Sequence, residues 1–196
     1  MQYLKYYDLE AYLFETVRPR FAAQGYLSAF DFFCIVIWKA NRAKSMTAKR
    51  IKRDGESLDE TIKALTAGLA HQATPKERMR YLVDANAWRF TLPMASAILT
   101  VLYPEEFTVY DVRVCDSLQA LKVSEDFHGL ANRTNFENLW TGYQRFKAAV
   151  ESTAPSDLSL RDKDRWLWAR SFVRQLERDT KTGFQHPENG TAERIE

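Results

Sequence analysis

Apolar residues recur at three- and four-residue intervals through most of the chain, the period of a helix face and not the alternation of a strand. Phe30, Phe33, Cys34 and Ile37 stand at i, i+3, i+4, i+7, and Leu58, Ile62, Leu65 and Leu69 repeat the pattern one segment later. Phe136, Leu139, Trp140 and Tyr143 form another stripe, and Trp166, Ala169, Val173 and Leu176 form the last. Helix starts are marked as well. Ser57 with Glu60, Thr74 with Glu77 and Thr134 with Glu137 hold the spacing at which a hydroxyl and a carboxylate satisfy each other's backbone amides, and Pro75 takes a first helical position. Ser159 is the expected cap of the last helix. Between these segments, Leu92–Tyr103 reads as an apolar helix stopped by Pro104, and PEEFTV leads into a further helix carrying Val112 to Leu121.

The pattern predicts an all-α protein of about eight helices. From about Asp179 onward the apolar period gives way to Gly, Pro and polar residues, so the reading is one helical domain over 1–178 and a flexible C-terminal tail over 179–196. No internal repeat and no low-complexity segment interrupts it.

Composition narrows the class. With 196 residues, 45% of them hydrophobic, the chain suffices for one good core or two small lobes sharing a groove. Cys34 and Cys115 lie in apolar surroundings, which fits two buried free thiols in a reduced compartment, and two cysteines are too few for an all-cysteine metal or iron–sulfur site. His71, His128 and His186 are scattered without ligand spacing, so no metal is expected. The segment MQYLKYYDLEAYLF lacks a basic leader with an apolar stretch, and no window approaches a membrane span, so the expectation is a soluble, cytoplasmic protein.

The net charge of +2 favours no particular partner, but its distribution does. WKANRAKSMTAKRIKR, from Trp38 to Arg53, carries Lys39, Arg42, Lys44, Lys49, Arg50, Lys52 and Arg53 without one acid. Such a run is either a solvated helix face or a surface for nucleic-acid phosphates. The cluster from Arg161 to Arg165 (RDKDR) reads as surface ion pairing at a helix start.

One carboxylate stands apart. In FTVYDVRV, residues 107–114, Asp111 lies between apolar residues directly after the connector. Thr108 and Asp111 have the spacing of a capping box, and an acid at a helix start bonds backbone amides, so a local role is open to it. Arg113 is open to pairing with Asp111 or Asp116, or to a phosphate.

A short helical hairpin, a helix rich in small residues (ASAIL), a connector and the element V-x-D-x-[RH]-V resemble the helix-hairpin-helix DNA glycosylase superfamily of the endonuclease III type. The residue match is local, roughly Tyr81 to Leu121, while helix count and order extend it loosely over most of the chain. The resemblance implies two lobes, a central one over about 28–130 and a second built from the N-terminal and C-terminal helices. Double-stranded DNA would be the partner, and Asp111 the catalytic carboxylate. It places Trp38 and Asn41 near a pocket wall and a gap-filling wedge, while a tryptophan at the end of an apolar stripe is more often a core residue. Lys39, Arg42, Lys44, Lys49 and Arg50 would contact phosphates.

The departures carry implications too. Where the family hairpin reads L-P-G-V-G, this chain reads AWRFTLP, so the hairpin is degenerate. Arg89 and Thr91 replace glycines that let amides approach a phosphate, leaving Arg89 to make that contact by its side chain. Pro93 stands where bifunctional members carry a Schiff-base lysine, which implies monofunctional base removal without lyase chemistry. Cluster-ligating cysteines are missing near the C-terminus, so no cofactor is implied. The alternatives are a catalytically inactive DNA-binding module of the same fold, in a repair or defence system, and an α-helical interaction domain.

Overall fold

In the computed structural model, which describes residues 3–185, the helical periods become helices, and no strand forms among the described residues. After a 3-10 turn at Leu4–Tyr6, α1 (Leu9–Tyr12) runs through a π-wound segment (Leu13–Val17) into α2 (Arg18–Gln24). Gly25 ends that stretch with φ 76°, a left-handed conformation that glycine adopts without the steric cost of a Cβ. There follow α3 (Ala29–Ala40), α4 (Lys44–Ile51), α5 (Leu58–Ala70), α6 (Pro75–Val83) and α7 (Leu92–Leu102). Then come α8 (Val112–Ala120), α9 (Phe136–Thr153) and α10 (Leu160–Lys181). The last helix therefore ends at Lys181, two residues beyond the point where the apolar period fades; His186 lies outside the described residues.

The starts of α5 and α6 are the capping boxes read from sequence, Ser57 with Glu60 and Thr74 with Glu77. Ser159 likewise caps α10. At α9 the cap is one residue later than the spacing suggests: Asn135, not Thr134, accepts the Asn138 N–H at 3.0 Å. Asparagine is as good a cap as threonine, and Glu137 is drawn away from its box by Lys76 and Arg80 on α6, at 2.7 and 2.5 Å.

Helix α7 is apolar all round and, apart from Pro93, buried all round. It packs against α2, α3 and α6. One contiguous apolar cluster then runs from Tyr12 and Leu13 through α3, α5 and α7 to Tyr143 and Phe146 of α9 and Leu167 of α10. Both cysteines are buried and free, and burial pushes the Cys34 thiol up to about 11 and that of Cys115 up to about 12. Among the described residues, no helix is long and apolar enough to cross a membrane.

Two helices turn faces inward that periodicity did not single out. On α3, Phe30 and Ile37 of the expected stripe are exposed, while Asp31, Phe32, Ile35 and Val36 are buried. That helix is apolar on most of its circumference, and its rotation is set by Asp31, which accepts from the Tyr12 hydroxyl at 2.7 Å and pairs with Arg20. On α10, Trp166, Val173 and Leu176 face outward, and the buried residues are Asp164 and Leu167. The reason lies in the connector that Asp164 holds.

Candidate functional site

The chain between α7 and α8 runs as non-helical backbone through the interior, where every amide and carbonyl needs a partner. Distant side chains provide them. The Tyr143 hydroxyl accepts the Thr108 N–H at 3.0 Å and donates to the Thr108 carbonyl at 2.7 Å. The Asp164 carboxylate accepts from the Val109 N–H and the Thr108 hydroxyl, each at 3.1 Å, and Ser96 accepts the Tyr110 N–H at 2.9 Å. Asp164 in turn pairs with Arg161, which reaches Glu10 of α1 at 2.8 Å. Burial still holds the Asp164 carboxyl above its ordinary range, so the arginine and the amides only partly offset its desolvation. The Arg161–Arg165 cluster is thus more than surface pairing: two of its members clamp the connector. Thr108 is consumed by that clamp and caps nothing.

The connector delivers Asp111 to the N-terminus of α8, where one carboxylate oxygen accepts the Arg113 N–H at 3.0 Å. The other accepts the ammonium of Lys39, from the last turn of α3, at 2.5 Å. Both side chains are mostly covered but reach solvent, Lys39 at 13% and Asp111 at 22% exposure. Asp111 is therefore a helix cap and an ion-pair partner together.

The pair lies between two openings. On one side is a cleft of about 650 Å³ whose walls include Trp38, Val109, Val114, Trp166 and Trp168, with Glu10, Arg161 and Asp164 among its polar groups. On the other is a cavity of about 250 Å³ lined by Pro93, Tyr110, Val112, His128 and Ala131. Lys39 and Asp111 line both. Trp38 packs on Phe14, carries the Arg161 guanidinium 5.1 Å from its ring centre, and lines the cleft.

The basic run divides. Lys39 enters the cleft, while Asn41, Arg42, Lys44, Lys49 and Arg50 are exposed on the turn after α3 and on α4, which buries only Thr47 and Ile51. The Asn41 side chain accepts from Lys44 at 2.9 Å. Arg50 donates to the carbonyl of Arg89 at 2.9 Å, and Arg53 lies 4.5 Å over the Trp88 ring. These contacts staple the basic helix to the loop between α6 and α7, so two features far apart in sequence make one surface. Arg89 is exposed with φ 57°, keeping the left-handed backbone that a glycine would adopt freely.

Arg113 turns its guanidinium to Gln175 at 2.7 Å and lies over the stacked rings of Trp168 and Phe172, at 5.4 and 5.7 Å. The aspartates weighed as its partners are occupied elsewhere: Asp111 by Lys39, and Asp116 by His128 at 2.8 Å. His128 also contacts Asp126 at 2.7 Å, and the two acids hold its pKa above the ordinary histidine value. Sequence reasoning passed over Glu10, Arg161, Asp164, Trp168 and His128 at this site. Spacing gives no signal for contacts that join opposite ends of a chain, and only the unbroken charge of RDKDR beside two tryptophans offered one. No protein-family model matches the chain, and neither does any curated protein or solved structure.

Proposed function

We propose that this protein binds duplex DNA and hydrolyses the N-glycosidic bond of a damaged or modified base, with Asp111 as the carboxylate that acts on the sugar. The observation that carries the reading is that Asp111, although a helix cap, opens into an aromatic-walled cleft instead of being spent wholly on its own helix. Departure of a base leaves an oxocarbenium-like sugar, and a nearby carboxylate stabilises that charge and orients the attacking water. The base itself must leave the stack and lie against apolar or aromatic walls, which Trp38, Trp166 and Trp168 offer. Affinity would come from the exposed cations of α4 and from Arg89 beside them.

A second reading keeps the DNA contact and drops the chemistry. It is favoured by the engagement of both Asp111 oxygens and by Arg89 and Thr91 in place of hairpin glycines. One experiment separates the two: base release from duplexes carrying oxidised, alkylated or deaminated bases, with wild type and Asp111→Asn in parallel. The catalytic reading expects release by wild type and a loss of about a hundredfold or more in the variant, which can still cap α8. Salt-sensitive binding with no release from any duplex supports the inactive module.

A further inference from the structure

The stripe that α10 turns outward runs past the cleft: Trp166 and Ala169 line it, and Val173 and Leu176 do not. These four residues stand at i, i+3, i+7 and i+10, the alternation of three and four at which one helix lies side by side with another. Trp166, Val173 and Leu176 are 38%, 47% and 43% exposed, and Phe172 beside them is 41% exposed. A continuous apolar face of this kind, on a helix of 22 residues and so about 33 Å long, is a surface for another protein chain. The charges that flank it say which chain.

Lys163, Arg170 and Glu177 border the stripe on one side, and Arg165, Phe172 and Asp179 on the other. A copy of α10 laid parallel and in register sets Arg165 against Arg170, two like charges. Laid antiparallel about a two-fold axis level with Ser171, it sets Trp166 against Leu176 and Ala169 against Val173, and it sets Lys163 against Glu177 and Arg165 against Asp179. By symmetry each of these pairs forms twice. Asp162 and Thr180 close the seam with a polar layer at each end. Phe172 and Arg170 meet their own copies beside the axis, but Nη1 of Arg170 is buried within its own chain. Arg165 is 56% exposed and Glu177 is exposed, while Lys163 and Asp179 are half-buried and held by the Glu151 carbonyl at 2.9 Å and by Arg178 at 3.7 Å. We propose that α10 is a self-association helix through which two copies of this chain pair antiparallel. The apolar layers supply the affinity and the charge pairs set the direction. Because Trp166 and Ala169 also line the cleft, Leu176 and Val173 of the second copy join its rim. The pairing is independent of the DNA reading.

Sedimentation of the full chain over a concentration series tests it. Wild type is expected to shift reversibly from the mass of one chain to twice that mass. Val173→Glu, at a position exposed enough to leave the fold intact, is expected to weaken association about a hundredfold or more, because it sets a carboxylate against Ala169 of the second copy inside an apolar layer. Glu177→Lys is expected to weaken it about tenfold by facing Lys163, and Lys163→Glu combined with Glu177→Lys to restore it, since the exchange keeps opposite charges opposed only in the antiparallel pair. Circular dichroism of each variant checks that its helices are kept, and sedimentation of wild type decides association by itself. A wild type that stays a single chain at every concentration overturns the inference, as does a dimer indifferent to Val173→Glu. A dimer that Glu177→Lys weakens and the exchange does not restore overturns the antiparallel pairing.

Discussion

The two loops that flank α7 are held in opposite ways. The loop before it, between Val83 and Leu92, is built mainly from its own neighbourhood: the Phe90 N–H returns to the Leu82 carbonyl at 2.8 Å, and the Asp84 carbonyl accepts from Ala87 and Arg89. The connector after it, up to Asp111, takes partners from three other helices: Ser96 of α7, Tyr143 of α9 and Asp164 of α10. A loop closed by its own backbone bonds tolerates an unusual residue at an exposed position, as Arg89 shows. A connector threaded through the interior has its geometry decided by side chains far along the chain, and it is this segment that carries the candidate catalytic carboxylate.

The contrast breaks most visibly at Asp164. Asp164→Ala leaves Arg161 without its buried partner and the Val109 N–H unsatisfied, so a loss of about 3–5 kcal/mol is expected in denaturant unfolding. A loss below about 1 kcal/mol would mean that the connector is not held as described. In the loop before α7 the expected effect is smaller. At φ 57° glycine is free of the strain an L side chain carries, so Arg89→Gly should be more stable than Arg89→Ala by about 1 kcal/mol. Both variants should also lower the salt slope of DNA binding by about one unit if Arg89 meets a phosphate.

The smallest effect concerns the His128 clamp at the edge of the Lys39 cavity. Its folded pKa is raised by Asp116 and Asp126, so its stabilisation is fully present below the ordinary value of 6.5 and is lost as pH rises through the folded value. His128→Gln should therefore lower Tm at about pH 6 and converge on wild type in alkaline buffer. A constant difference at all pH values would assign His128 a packing role only.

Much of the fold was legible in the chain. The capping boxes of α5 and α6, the burial of α7 and the position of Asp111 at a helix start all follow from rules that act within a few residues. The rotation of α10 was not legible. Trp166, Ala169, Val173 and Leu176 hold a helical period, but Asp164 must face inward to meet the connector, and one buried hydrogen-bonded charge outweighs a stripe with no apolar surface of its own chain to cover it.

The site divides along the same line. Sequence by itself determined that the chain is helical, that a basic segment follows Trp38, and that a carboxylate opens α8, since each is a property of neighbours. Only the tertiary structure decided that Lys39 meets Asp111, that α4 is stapled to the α6–α7 loop, and that Arg161 and Asp164 secure the connector. Those contacts join residues as much as 72 positions apart, and a pairing over that distance is chosen by packing of the whole core and not by any period or motif in the chain.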